Sequence, residues 1–378
     1  MAYDKVVDSA ALDSKLTQVA DAIRTKGNTS ADLQFPSGFI SAIQAIQTGT
    51  ELQIIVTVTS GATVTATKGS KVVSGTSVNG TCTLTVPEAG TWNVTSTLNG
   101  QTSDTKSVTF TDSYALSLSF VSAVLNDNDW SKIKSVSDTG QGANYWSVGD
   151  RKAVTLNGTV GALTLSNFTT YAFILGFNHN SNLEGINRIH FQLAKTALVG
   201  GTDVALCDSY YNSIGGGFRM NYDETNSGGW ASSSMRTALC GTSMTSYSGT
   251  IIAVIPAALR AVLKSVTKYT DNTGGKSTSA SAVTATTDYF FLLSTYEVSG
   301  TSSGINSNEA SKQAQYSYYS AGNSKVKYDH RATSTSVNWW LRSPCAFNST
   351  NFTFTFPDGT IGVTSANCSY GFAPGFCV

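Results

Sequence analysis

Nucleophilic, acid–base or metal chemistry needs His, Cys, Asp or Glu gathered at defined spacings, and this chain offers few such gatherings. Its three histidines, His179, His190 and His330, are far apart in sequence. Its six cysteines, Cys82, Cys207, Cys240, Cys345, Cys368 and Cys377, form no CxxC pair and read as buried free thiols. "GGGF" at 215–218 and "TGGKS" at 273–277 lack the spacing of a phosphate-binding loop. "NDNDW" at 126–130 is acidic and reads as a polar linker. No Ser-His-Asp order or carboxylate pair stands out, so no catalytic residue, cofactor or metal is expected. The one carboxylate between the late strands, Asp358, is explained by a tight Asp-Gly turn, and a hard cation needs several oxygen ligands.

Recognition chemistry, in contrast, is concentrated near the end, in "NWWLRSPCAFNSTNFTFTFPDGTIGVTSANCSYGFAPGFCV" (338–378). Trp339, Trp340, Arg342 and Pro344 make a rigid start, and Gly, Pro and aromatics make a rigid close. Adjacent tryptophans in a strand point to opposite faces, so one is expected in the core and the other beneath a displayed surface. Arg342 has the donors to hold neighbouring loops. Phe352, Phe354 and Phe356 share one strand face, expected to be core, while Asn351, Thr353 and Thr355 share the other. Phe347, Asn348, Ser349 and Thr350, with Thr364, Asn367, Ser369 and Tyr370, are expected to be exposed. Together with Asn338, Asn351 and Thr353 they form the candidate ligand-binding set, since amides, hydroxyls and an aromatic are the adaptable contacts that antibody loops use.

The rest of the chain must position that segment. At 378 residues it is long enough for two or three domains. Charged residues are 13% of it, with Lys+Arg and Asp+Glu equal at 24 each, so no electrostatic footprint for nucleic acid or an anionic membrane follows. No apolar run has signal-peptide or membrane-spanning length, which predicts synthesis in the cytoplasm without membrane insertion. Leu12, Leu16, Val19 and Ile23 mark one face of a helix stopped at Lys26-Gly27-Asn28, and Phe39, Ile40, Ile43 and Ile46 mark a second that ends at Gly49. Residues 1–50 thus predict an α-helical hairpin whose apolar faces exceed what it can bury alone. From 51 to 121 the period becomes two, with Gly, Asn-Gly and Pro-Glu-Ala-Gly turns, which predicts an all-β Ig-like sandwich with Trp92 in its core. In 122–378 the spacing predicts a hairpin at 152–160, buried strands at 169–179 and 288–294, helices at 230–239 and 255–263, and a long insertion loop over 301–325.

The ordered motifs "YWSVGD", "ILGFNH", "FQLA", "GGWASSSMR", "FFLLS", "WWLRSP" and "YGFAPGFCV" resemble the C-type-lectin-fold domain at the ends of phage tail adhesins, and are similar to the variable proteins of diversity-generating retroelements. The opening "DSAALDSKLTQVADAIRTKGNTSADLQFPSGFISAIQAI" resembles the N-terminal segment of tail proteins from phages of low-GC Gram-positive bacteria. The resemblance implies an α+β C-type-lectin fold over 122–378, a location on the virion tail, and a non-enzymatic receptor-binding protein that recognises a host cell-surface protein or glycan. It further implies docking to other tail proteins through 1–50 and a homo-oligomer, with a trimer favoured. In the retroelement family, adenine-directed mutation interconverts Asn, Ser, Thr, Tyr and Phe within a spared frame. The residues at 345–351 and 367–370 suit that process and suit a Ser/Thr-rich adhesin equally. A structural tail or baseplate decoration protein is the alternative role. The formylglycine-generating enzymes share the fold and use paired late cysteines, which makes Cys345, Cys368 and Cys377 the residues of an enzymatic alternative. The calcium motifs of sugar-binding C-type lectins are absent.

Overall fold

In the computed structural model, residues 9–45 and 51–378 are described, and the chain divides into two units, 1–120 and 121–378. The first begins with helices Ser9–Gly27 and Ser37–Ala45, so the predicted positions Ile46 and Gly49 lie outside the described residues. Ala20, Ile23 and Phe39 form a small core with Leu16, Leu33 and Ala42 against it. The rest of the apolar stripe is uncovered: Leu12, Val19, Ile40 and Ile43 are each about half exposed. A core of three buried side chains is too small to stabilise a hairpin of this length by apolar burial alone.

Short strands follow. Leu52–Thr57 pairs antiparallel with Thr81–Val86 and parallel with Tyr114–Ser117. Thr63–Lys68 lies between Lys71–Thr76 and Gly90–Leu98, and the last strand also pairs with Lys106–Phe110. Strict alternation, as in Thr81–Val86 where Cys82, Leu84 and Val86 are buried, turns one face of each sheet onto a shared core. Trp92 is fully buried in that core and donates from Nε1 to the Glu88 carbonyl.

The C-terminal unit is built on a five-stranded antiparallel sheet with Gly375–Cys377 between Phe290–Phe291 and Ile189–Lys195, then Leu163–Phe177 and Arg151–Val160 at the far side. The last residues of the chain therefore lock a sheet begun more than two hundred residues earlier. Trp130, at the start of helix Trp130–Asp138, is buried against Phe191 and Phe376. "NDNDW" is no linker: Asp129 caps this helix by accepting from Lys132 N–H, and buried Asn128 donates to the Ser122 and Val124 carbonyls. Two further antiparallel assemblies matter below, the hairpin Val266–Asp271/Val283–Asp288 and the sheet Trp339–Pro344/Asn351–Thr355/Ile361–Ser365. Among the described residues no helix is long and apolar enough to cross a membrane.

Several local expectations are corrected. Residues 152–160 are not a hairpin but one continuous strand, whose turn comes later at Gly161-Ala162. The stretch 230–239 is a helical turn, Gly229–Ser232, followed by a π-helix, Met235–Cys240, because buried Ser233 breaks the path between them in extended conformation. Residues 301–325 are no insertion loop: Ile305, Asn306, Glu309, Tyr316, Tyr318 and Tyr319 are buried, so a polar, Tyr-rich composition here builds core rather than surface.

Candidate functional site

The rigid start of the terminal segment is the strand Trp339–Pro344, every residue of which is buried. Trp340 donates from Nε1 to the Phe218 carbonyl and lies under Tyr370, ring centres 5.1 Å apart. Trp339 donates to the Lys325 carbonyl. The turn that follows is clamped from another part of the chain. Asn226, fully buried, places Nδ2 within 2.7–3.2 Å of the carbonyls of Cys345, Asn348 and Asn351, and its N–H donates to the Ser349 carbonyl. Its Oδ1 accepts from Gly275 N–H. Gly274, at φ +61, approaches so closely that any Cβ would collide with the Asn226 carbonyl. The Gly-Gly pair of "TGGKS" thus serves this clamp, and it was the only sequence sign of it.

On this frame Phe347 is 64% exposed and Ser349 is exposed. Asn348, Thr350 and Asn351 are half-buried and tied to one another: Asn348 Oδ1 accepts from Thr350 N–H, and Thr350 Oγ1 sits 2.6 Å from Asn348 Oδ1 and 2.7 Å from Asn351 Oδ1. Thr364, Asn367, Tyr370 and Asn338 are also half-buried. Two members of the candidate set are withdrawn from it. Thr353 is fully buried, donating to the Ser343 carbonyl and accepting from Thr295 Oγ1. Ser369 is fully buried, accepting from Phe218 N–H. Both faces of Asn351–Thr355 are covered, because the segment around Thr295 packs on the Thr face. Phe356, expected in the core, is 41% exposed.

The remaining members do not form one patch. Register pairs Thr353 with Val363 and Phe354 with Gly362, so these two pairs face opposite sides of the sheet. Phe347 lies on the Val363 side, where both approach Gly304. Tyr370 lies on the other side, 4.9 Å from Phe354, with Phe356 and Tyr211 extending the aromatic row. The segment 212–215 runs along the sheet's edge: Asn212 N–H donates to the Ser369 carbonyl and Gly215 N–H to the Asn367 carbonyl. It carries exposed Ile214 beside Cys368, a neighbour that sequence reasoning missed.

Beneath the frame lies a buried ionic cluster. Arg342 pairs with Glu297, which also meets Lys268 Nζ at 2.9 Å, and Lys268 reaches Glu184 at 2.6 Å and Tyr316 OH at 2.8 Å. His179 and His190, distant in sequence, come together here with ring centres 5.5 Å apart. His179, Glu184 and Glu297 each offer a ligand atom within 4.8 Å of the others. The Lys268 ammonium, however, already lies between the two carboxylates, so their charge is directed onto a resident cation. Burial pushes Glu184 up to about 7 against the pull of Lys268, and brings His179 down to about 3. Burial acts to raise Glu297 as well, but Arg342 and Lys268 outweigh it and hold the carboxyl well below the usual range. Cys377 Sγ lies 3.3 Å from His190 Nδ1, yet both are fully buried and burial pushes the thiol up to about 12, which makes it a poor nucleophile. All six cysteines are free.

Glu309 permits a clean pH experiment. Burial raises its carboxyl to about 7 despite hydrogen bonds from Asp271 N–H, Ser343 Oγ and Gln313 Nε2. The native state therefore holds a proton between pH ~4.5 and ~7 that the unfolded chain releases. Its stabilising contribution is complete below ~4.5 and lost as pH rises through ~7, a change on the order of 3 kcal/mol. Chemical denaturation of wild type and Glu309→Gln from pH 4.5 to 8 should show wild type losing stability relative to the variant as pH rises. Parallel curves would refute the assignment.

A family described as a domain of unknown function, DUF6273, matches residues 202–378, just under half of the chain. No curated protein matches the sequence. The matched span takes in Asn226, Lys268, Glu297, Arg342 and the whole three-stranded sheet, and leaves out His179, Glu184 and His190.

Proposed function

We propose that this chain is a phage tail adhesin. In this reading residues 1–50 dock it to the tail and to its own copies as a trimer, an Ig-like sandwich acts as spacer, and a C-type-lectin-fold tip binds a host-surface protein or glycan. The observation that carries it is the contrast within 338–370. Trp339, Trp340 and Arg342 are fully buried and Asn226 clamps the turn backbone, while Phe347 and Ser349 stand out and Asn351, Thr364 and Tyr370 are part-exposed. A backbone held from below tolerates side-chain change above, the property an adaptable recognition surface needs. A five-stranded antiparallel sheet whose strand Gly375–Cys377 is inserted between Phe290–Phe291 and Ile189–Lys195, with the separate sheet of Trp339–Pro344 carrying the surface, favours the lectin-type fold.

Phe347→Ala, Asn348→Ala, Asn351→Ala and Tyr370→Ala test this. Phe347→Ala should leave the melting temperature within about a degree or two, since exposed side chains contribute within about half a kcal/mol. At least one of the four should reduce host adsorption tenfold or more, as a few contacts dominate most interfaces. Because Phe347 and Tyr370 occupy opposite faces of the sheet, the one that loses adsorption identifies the binding face. Wild-type adsorption in all four, or loss only through unfolding, would move the site elsewhere.

The half-exposed stripe Leu12, Val19, Ile40 and Ile43 supports attachment through the hairpin. Deleting residues 9–45 should leave the sandwich and C-terminal unit folded by circular dichroism and abolish incorporation into particles. Normal incorporation would remove the hairpin from that role.

A further inference from the structure

We propose that a cleft beside the π-helix, outside the candidate set above, binds a small oxyanion, a carboxylate or phosphate, through Arg219. The cleft has a volume of about 180 Å³ and is lined by Gly161, Gly217, Arg219, Tyr222, Ser234 and Leu239, among others. The Arg219 guanidinium lies 4.1 Å over the Tyr222 ring. Every other arginine in the described residues spends its guanidinium on a carboxylate or on backbone carbonyls. The Arg219 guanidinium alone has no hydrogen-bond or ion-pair partner among the described residues, its backbone N–H going to the Gly217 carbonyl, and exposed Asp223 and Glu224 do not come within ion-pair distance of it. The Ser234 hydroxyl is likewise unused, its backbone N–H going to Asn221 Oδ1.

Gly161 and Gly217 contribute backbone to the lining, and Leu239 supplies an apolar wall. Both glycines have positive φ, +54 and +61, and each packs closely on the protein, Gly161 on Leu239 and Gly217 on the Asp208 carboxylate, so neither position accepts a side chain without displacement. A half-buried guanidinium seated over an aromatic ring is partly positioned in advance and presents a planar donor fork. The ligand that matches such a fork is a two-oxygen anion, and the neighbouring hydroxyl supplies another donor. The volume admits one such group and a few attached atoms, below the range for a whole drug-sized ligand. The cleft would therefore grip an anionic end of something larger.

Its position ties it to the recognition edge. Gly217 and Arg219 follow directly on residues 212–215, which bond to Asn367 and Ser369, and Phe218 supports both Trp340 and Tyr370. The inference stands on the cleft's own geometry and does not require the adhesin reading.

The test uses the full chain at fixed ionic strength, titrated with sodium phosphate, sodium acetate, or neutral glycerol, with binding measured by isothermal titration calorimetry in wild type and variants and, in the chains that keep Arg219, by NMR of its side-chain Nε–H signal. The expected result is a saturable shift with phosphate or acetate at a Kd of about 1–10 mM, none with glycerol, and loss of binding in Arg219→Gln. Ser234→Ala should weaken binding severalfold, and Tyr222→Phe, which keeps the stacking ring, should retain it. Tighter phosphate binding points to a phosphate-bearing polymer, and tighter acetate binding to a carboxylate-bearing one. If Arg219→Gln fails to fold, Arg219→Lys replaces it, with weakened binding expected. No saturable shift, or heat of binding undiminished in the Arg219 variant, would overturn the proposal and mark the contact as an adventitious ion only.

Discussion

Replacing Arg342 with alanine is expected to destabilise the C-terminal unit by about 3–5 kcal/mol, a large part of the stability of an ordinary domain. The guanidinium is fully buried and every direction it faces is taken. Nε donates to Thr270 Oγ1 at 2.8 Å, Nη1 donates to the Leu292 carbonyl at 2.9 Å, and both terminal nitrogens engage Glu297. Removal leaves Glu297 in the interior with Lys268 as its remaining cation, while Lys268 is shared with Glu184. The cost comes chiefly from the stranded carboxylate rather than from the lost attraction, since buried pairs gain little over apolar replacements. Arg342→Lys should recover only part of it, because an ammonium cannot reproduce the forked contact with Glu297. In the double variant Arg342→Met/Glu297→Gln the loss should fall below the sum of the single losses. Chemical denaturation of the full chain, followed by the transition of the C-terminal unit, measures all of these. A cost of Arg342→Ala within about 1 kcal/mol would show that the cluster is not the keystone its burial indicates.

Trp340→Ala should cost a similar amount, about 3–5 kcal/mol, by emptying space under the sheet that carries the candidate surface. Its ring is fully buried against Tyr370 and lies 6.4 Å from Phe354, and its Nε1–H satisfies the Phe218 carbonyl. Loss of the indole removes packing and one of the two donors to that carbonyl, leaving it with Tyr370 N–H alone. Because Tyr370 rests on this ring, the variant should lose both melting temperature and adsorption, the opposite of the pattern expected for Phe347→Ala. An unchanged melting temperature in Trp340→Ala would require the tryptophan to be outside the core. Trp339→Ala should be comparably destabilising but should affect the opposite side, where the Lys327 ammonium lies 4.9 Å from its ring.

What the sequence by itself determined is local. The helical spacing of Leu12, Leu16, Val19 and Ile23, the period-two runs after residue 51, and the bulky frame Trp339-Trp340 follow from the geometry of one helix or strand, which repeats within a few residues. Alternation separated Phe352 and Phe354 from Asn351 and Thr353 correctly, because successive side chains must leave a strand on opposite sides. Tertiary structure alone decided which of those sides would be covered. The segment around Thr295 buries Thr353, the Gly217-Phe218 segment buries Ser369, and the sheet's two faces part Phe347 from Tyr370. The same holds for the ionic cluster, which draws Glu184, Lys268, Glu297 and Arg342 from elements up to 158 positions apart. A charged residue carries no mark in sequence of whether a partner will meet it in the interior. Desolvation forbids its burial when unpaired and permits it when paired, and the partner is supplied only by the folded arrangement of distant strands.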